Sequence, residues 1–333
     1  GTACSKAEAE VALDEQDYFN SYARLGIHEE MLADKVRTEG YRDAMLANRR
    51  LFEGKVVLDV GCGTGILSMF AAQAGARLVL GIDASDIIDE ARKIVEANGM
   101  QEVVRLYRGT LESFSLPAGI DKVDIIVSEW MGYFLLYESM LPTVLLARER
   151  FLAPDGLMMP SKMEMRVSAS SHDRLAFWQD VYGFSMASLG ERARAEAAVE
   201  VVPESSLLSA SCLLKALDIH SISDAELDFT APFELTLTAA GPVSSLVVHF
   251  DTFFNMRAEA GVDTMFSTSA SSTPTHWKQT VLYLRRAAAM HAGDRLSGTI
   301  GGVRAPDYKR GYLISVSWKS SRGDADTQLF RLK

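Results

Sequence analysis

Glu129 and Glu138 bracket the stretch Trp130-Met131-Gly132-Tyr133-Phe134-Leu135-Leu136-Tyr137, so two acids flank a loop that is otherwise aromatic and aliphatic. A carboxylate in apolar surroundings is costly unless paired, and two held together call for a cation between them. A planar guanidinium offers five donors in a fixed fork and matches two carboxylates, whereas an ammonium is a point charge. An arginine side chain is therefore the expected ligand. Either glutamate alone reads as well as an acid at the start of a surface helix, where negative charge is favourable. The pair around an apolar loop does not.

A second constellation lies upstream, where Asp59 precedes Gly61-Cys62-Gly63-Thr64-Gly65. Glycine has no Cβ, so such a turn lets the backbone approach a ligand closely. The spacing is G-x-G-x-G rather than the G-x-G-x-x-G of dinucleotide sites, and an acid stands before the first glycine. Both details favour a cationic cofactor bearing an amino acid over a pyrophosphate. Asp59 would face its amino end, Asp83 would accept from two ribose hydroxyls, and Glu112 would meet the adenine edge. The glycines alone fit a methyltransferase and an NAD enzyme equally. Cys62 reads as a small packing residue, with no histidine near it in sequence.

These residues need a frame that brings them together. Residues 14–48 read as helical; 55–60 is a β-branched strand running into the glycine turn, and 66–74 a helix closed by Gly75. The rhythm repeats with a strand at 78–82, a helix at 86–97, and strands at 103–107 and 123–127. This alternation predicts a doubly wound parallel sheet with its ligand site at the carboxyl ends of the strands. Beyond Pro154-Asp155-Gly156 the pattern changes to short alternating segments at 163–168, 233–238, 245–250, 281–284 and 312–318, which predict a β-barrel or sandwich. Residues 172–202, aromatic at first and then rich in Ala, Arg and Glu, read as a helical excursion with exposed aromatic surface.

The 333 residues, 48% hydrophobic and 23% charged, suffice for two domains. No apolar run approaches the roughly 20 residues of a membrane span. Gly1-Thr2-Ala3-Cys4-Ser5 has no basic segment followed by an apolar one, so no secretory signal is expected in these residues; a leading Gly1 is also what a cut leaves behind. Cys4, Cys62 and Cys212 are scattered, which fits a reducing compartment and neither a disulfide framework nor a metal site. A net charge of −10 repels nucleic acid and attracts cationic partners. Enzymes that methylate nucleic-acid amino groups are expected to carry Asn or Asp, two prolines and an aromatic where this chain has Ser128-Glu129-Trp130.

Four ordered motifs, Tyr18-Phe19-Asn20-Ser21-Tyr22, the segment Val57-Leu58-Asp59-Val60 with its glycine turn, the double-glutamate loop and Thr275-His276-Trp277, resemble the type I protein arginine N-methyltransferases over nearly the whole chain. The resemblance implies a helical segment covering the cofactor (1–50), a Rossmann-like S-adenosylmethionine-dependent domain (51–153) and a β-barrel (154–333) with an inserted helical dimerisation arm at about 172–203. It implies cofactor contacts at Tyr18, Phe19, His28, Met31, Arg37, Asp59, Gly61, Gly63, Asp83 and Glu112, with Arg37 at the methionine carboxylate. Tyr22, Met31, Asp34, Met140 and Trp277 fall in the substrate pocket, and Glu129, Glu138 and His276 at the catalytic centre. The family commonly has a glutamate where Asp83 stands, one methylene longer. His276 would pair with Asp34, either as an architectural latch or in acid–base work.

The activity so implied is methyl transfer from S-adenosylmethionine to arginine, giving monomethyl and asymmetric dimethyl products, with no metal. Arg-Gly-rich RNA-binding proteins or histones are the implied substrates, in the cytoplasm or nucleus. The implied assembly is a homodimer or a heteromer with a paralogue, and a regulatory subunit dependent on such a partner is the competing reading.

Overall fold

The computed structural model describes residues 25–256 and 261–332. Strand β1 (Val56–Val60) is buried at every position, as a central parallel strand must be when helices cover both faces. It anchors a five-stranded parallel sheet of order β3-β2-β1-β4-β5, built with β2 (Leu78–Asp83), β3 (Val104–Arg108), β4 (Val123–Val127) and β5 (Leu152–Met159). The chain winds outward from β1 through β2 to β3, then returns to β1's other side with β4. β1 and β4 thus flank the point where the winding reverses, the place where such sheets bind ligands. The glycine turn follows β1, and Ser128-Glu129 follow β4. Ser128 ties the two strand ends together, its Oγ donating to the Val60 carbonyl at 2.7 Å.

Ahead of the sheet lie α1 (Leu25–Ala33), α2 (Lys35–Ala47) and the short α3 (Arg49–Phe52). The break between α1 and α2 is set by Asp34, whose carboxylate caps α2 by accepting from the Arg37 amide at 3.0 Å. The buried face of α2 carries Arg37, Tyr41, Ala44 and Met45. Helices α4 (Ile66–Gln73), α5 (Ile87–Ala97) and α6 (Leu141–Phe151) complete the first domain.

Strand β5 pairs in parallel with β4 through Met159, because its Leu157, Met158 and Met159 complete the apolar sheet beside Ile125, Ile126 and Val127. Strand β6 (Lys162–Ser170) then opens the β domain. One sheet has the order β7-β12-β10-β6-β8, with β11 on β10, and the other β15-β14-β13-β9; all these pairings are antiparallel. Their strands are β7 (Ala198–Glu200), β8 (Cys212–Asp218), β9 (Phe229–Thr236), β10 (Gly241–Phe254), β11 (Thr264–Ser267), β12 (Gln279–Met290), β13 (Arg295–Arg304), β14 (Tyr312–Ser320) and β15 (Ala325–Leu332). The apolar core runs without a break from Val57 and Leu58 of the first domain to Phe250, Trp277 and Ile300 of the second.

The excursion at 172–203 is less helical than its composition predicts. It holds a 3₁₀ turn (Arg174–Gln179) and a helix of only seven residues, α7 (Ala187–Ala193), and its last part is strand β7 on the edge of β12. Val199 and Glu200 are claimed by pairing to Thr280 and Gln279, which overrides the helical propensity of the Ala-rich run. Its tip exposes Phe177, Tyr182 and Phe184. Among the described residues no helix is long and apolar enough to cross a membrane.

Candidate active site

A cleft of about 560 Å³ opens at the carboxyl ends of β1, β2 and β4 and is closed on its far side by the barrel. Its walls include His28, Met31, Arg37, Gly61, Gly63, Asp83, Glu112, Glu129, Glu138, Met140, His276 and Trp277. Chain segments far apart in sequence thus meet in one cavity. Tyr18, Phe19 and Tyr22 lie outside the described residues.

The cofactor half rests on β1 and β2. Gly61 has φ +73°, a left-handed conformation unfavourable for side-chain-bearing residues, and a Cβ there would fall 2.4 Å from the Met140 methyl. The bare backbone leaves room for a ligand. Asp83 accepts from the Gly63 amide at 2.8 Å with one oxygen and from the Ser85 amide and hydroxyl, at 2.8 and 2.6 Å, with the other. It is thereby oriented, and its remaining lone pairs can still accept hydroxyl donors. Glu112 reaches the same cleft from the loop after β3, which Arg150 braces by donating to the carbonyls of Leu111, Glu112 and Phe114.

Asp59 lies behind the cleft wall. It is buried, is not among the cleft walls, and receives the Ser68 hydroxyl of α4 at 2.6 Å on Oδ2, while Oδ1 is buried with no hydrogen-bond partner in the protein. Burial pushes its carboxyl up to about 7, against the pull of the Ser68 bond, and the nearby Asp83 charge adds to the rise. Side chains alternate along a strand, so Asp59 points away from the direction taken by its neighbours on β1.

The double-glutamate loop is held by both domains. Trp130, Met131, Phe134, Leu135 and Leu136 are buried, Phe134 stacks on Phe229 of β9, and the Phe134 amide donates to Thr280 Oγ1 of β12 at 3.0 Å. Trp277 donates its indole N–H to the Met131 carbonyl at 2.8 Å and stacks on Phe266. Gly132 sits so close to the returning strand of the loop that a Cβ would lie 2.0 Å from the Tyr137 carbonyl oxygen. Phe134, Leu135, Glu138 and Ser139 all take positive φ, costs that these cross-domain contacts must outweigh. Glu129 and Glu138 project from the two ends of the loop into the one cleft.

Two family models cover most of the chain: a methyltransferase domain at 57–156 and the arginine methyltransferase oligomerization subdomain at 164–323. The chain is 44% identical over 320 residues to protein arginine N-methyltransferase 1 of Schizosaccharomyces pombe, covering 94% of this chain and 93% of that protein. It is likewise 44% identical over 288 residues to protein arginine N-methyltransferase 1 of Dictyostelium discoideum, covering 85% of this chain and 83% of that one. The PRMT1 enzyme–prozyme heterotetrameric complex of Trypanosoma brucei with AdoHcy superposes with a TM-score of 0.87 at 43% identity, over 94% of this chain and all of that one. The chain belongs to the protein arginine N-methyltransferase family.

In this arginine methyltransferase Arg37, on the cleft wall, grips Glu129, with Nε at 2.9 Å and Nη2 at 2.8 Å from Oε2. Nη1 donates to the Met31 carbonyl and Thr38 Oγ1, and Nη2 also reaches the Met31 sulfur at 3.8 Å, so all five donors are engaged. The physical reason is burial: both side chains are over nine-tenths covered, and neither charge is stable there alone. The weak sulfur contact is the one a carboxylate could replace.

His276 and Asp34 meet as a latch. Asp34 Oδ2 lies 2.7 Å from His276 Nδ1 and accepts the His276 amide at 2.8 Å, while Oδ1 caps α2. Burial pushes the Asp34 carboxyl up, but the His276 ring and the Arg37 and His276 amides outweigh it, leaving the carboxyl below its usual range. One side chain therefore joins the N-terminal helices of this methyltransferase to the barrel loop bearing His276 and Trp277. Sequence reasoning missed Lys309 and Arg310, which reach the cleft from the loop between β13 and β14. No local motif marks them, because only the folded barrel brings residues 305–311 to the first domain.

Proposed function

We propose that this chain transfers methyl groups from S-adenosylmethionine to the terminal nitrogens of arginine in proteins, forming monomethyl and then asymmetric dimethylarginine. The observation that carries this reading is the opening of Glu129, Glu138 and the Gly61 turn onto one cleft. The bare Gly61 backbone and the oriented Asp83 carboxylate, both on the cleft wall, suit a nucleoside-bearing cofactor. When bound, the cofactor supplies an electrophilic methyl group on a sulfonium.

The residues of the chain supply position and charge. Arg37 fixes one face of Glu129, whose oxygens retain lone pairs for a second donor; Glu138 closes the other side of the substrate guanidinium. Two carboxylates draw its positive charge toward themselves, leaving electron density on the nitrogen presented for attack. Orientation of that nitrogen is the main contribution to rate. Attack would leave neutral S-adenosylhomocysteine and a doubly charged, strongly acidic methylated guanidinium, which gives one proton to a glutamate carboxylate or water without a strong base and ends as a single cation. Met31 and Met140 limit the room around that nitrogen and set the asymmetric product. His276 serves the site as a latch through Asp34.

Docking of the exposed arm on a second subunit, an identical chain or a paralogue, completes the assembly; the matching oligomerization subdomain supports this. Retention of both glutamates favours a catalytic subunit over a regulatory one. Flexible Arg-Gly-rich segments are the proposed substrates, in the cytoplasm or nucleus. Incubation with S-adenosylmethionine and an Arg-Gly-rich peptide, followed by fragmentation mass spectrometry, tests the reading. One and then two methyl groups on a single terminal nitrogen are expected; no transfer, or transfer to lysine, would overturn it.

A further inference from the structure

We infer that Arg310, from the barrel, is a positioning residue for Glu138; the inference rests on the methyl-transfer reading above. The two residues exchange a reciprocal pair of bonds: the Glu138 amide donates to the Arg310 carbonyl at 2.9 Å, and Arg310 Nη1 donates to the Glu138 carbonyl at 2.8 Å. Both peptide groups of Glu138 are thereby fixed from outside its own domain.

Glu138 needs this hold. Its φ is +75° and that of Ser139 is +51°, sparsely populated conformations that persist only where the surroundings over-determine them. At Glu129 the side chain itself is gripped, by Arg37. At Glu138 the grip falls on the backbone, which aims the side chain. An arginine is suited to this task because a long, planar, always charged donor can span from a barrel loop to a carbonyl on the facing domain.

The loop that carries Arg310 is itself anchored. The Gly311 amide donates to the Tyr308 carbonyl and the Ala305 amide to the Gly311 carbonyl, each at 2.9 Å, and Asp307 pairs with Arg331 of β15. Tyr308 also lies beside Tyr137, the residue before Glu138. An internally hydrogen-bonded loop on the barrel thus sets the backbone of the second glutamate, so the placement of the barrel against the first domain decides whether the two carboxylates face each other.

The test compares Arg310→Ala and Arg310→Lys with wild type and Glu138→Gln in arginine-peptide methylation, alongside S-adenosylhomocysteine binding by calorimetry. Arg310→Ala is expected to lower kcat by about ten- to a hundredfold, the scale of a small misplacement of a reacting group, with cofactor affinity unchanged. Arg310→Lys, which keeps one donor, is expected to recover part of the loss. In the Glu138→Gln background the Arg310→Ala change is expected to add little, since its effect acts through Glu138. Equal losses in both backgrounds, or loss of cofactor binding together with kcat, would overturn the inference by showing a general structural role. An inactive wild type sinks the methyl-transfer reading and this inference with it. An active wild type with an undiminished Arg310→Ala variant sinks the inference alone.

Discussion

Arg37 places two nitrogens, Nε at 2.9 Å and Nη2 at 2.8 Å, on a single oxygen of Glu129, and both side chains are buried. Removing one partner of a buried ion pair leaves an uncompensated charge, at a cost of about 3–5 kcal/mol. Arg37→Ala is therefore expected to lower the free energy of unfolding by about that amount, read from urea midpoints. Arg37→Lys should fall between, because an ammonium cannot present the Nε–Nη2 fork. An unchanged midpoint for Arg37→Ala would show that Glu129 finds another partner, and the pairing would then lose its structural weight.

Asp34 serves α2 and His276 with different oxygens, so substitutions can separate the two tasks. Asparagine caps a helix about as well as aspartate, whereas alanine costs about 1 kcal/mol at such a position. Asp34→Asn should keep most of the stability yet lower kcat/KM toward an arginine peptide, while Asp34→Ala loses both. The Asp34 carboxyl lies below its unfolded value of 3.8, so its contribution is complete above that value and is lost as pH falls through the lowered one. Wild type and Asp34→Asn should accordingly converge in stability under strong acid. Full activity in Asp34→Asn would leave the latch without a catalytic consequence.

At Gly61 two costs can be told apart. A Cβ would meet the Met140 methyl at 2.4 Å, but that methyl ends a flexible side chain and can move, whereas φ of +73° is fixed by the turn. Backbone strain should dominate, at about 1–2 kcal/mol. Gly61→Ala is expected to weaken S-adenosylhomocysteine binding at least tenfold, and adding Met140→Ala should restore little of it. Near-complete rescue by the second change would show that the contact, not the backbone, set the cost.

The parallel sheet was legible because its strands are buried on both faces and read as β-branched runs, and the glycine turn and Glu129 sit where two such runs end. The double-glutamate loop was legible by its composition: residues as apolar as Trp130, Phe134 and Leu135 do not face water, and they pack into the interface between domains. Two features were not legible. The arm reads in sequence as a longer helix because local propensity carries no information about the β12 edge that captures residues 198–200. The Asp34–His276 pair follows from the family resemblance, but the arginines that hold the two glutamates do not. Arg37 on Glu129 and Arg310 on Glu138 are contacts across 92 and 172 positions of the chain, and no spacing rule reaches that far.

Two buried groups give opposing pH dependences. The Asp59 carboxyl is raised to about 7 by burial, so the native state holds its proton more tightly than the unfolded chain, whose value is 3.8. Stability from this group is greatest below 3.8 and is lost as pH rises to about 7. His249 lies on β10 facing Arg166 of β6 and Asp251; burial lowers it from 6.5 to about 4, Asp251 opposing and Arg166 assisting. Its contribution is complete above 6.5 and is lost as pH falls to about 4. Between about 4 and 6.5 the two slopes have opposite sign, each bounded by about 1.4 kcal/mol per pH unit. Replacing one should expose the other: Asp59→Asn should grow more stable, relative to wild type, as pH rises through this window, and His249→Gln should grow less so. Urea unfolding across the window reads the difference directly, since every other titrating group is common to the compared proteins. Parallel stability curves for wild type and both variants would show that neither group titrates differently in the folded protein.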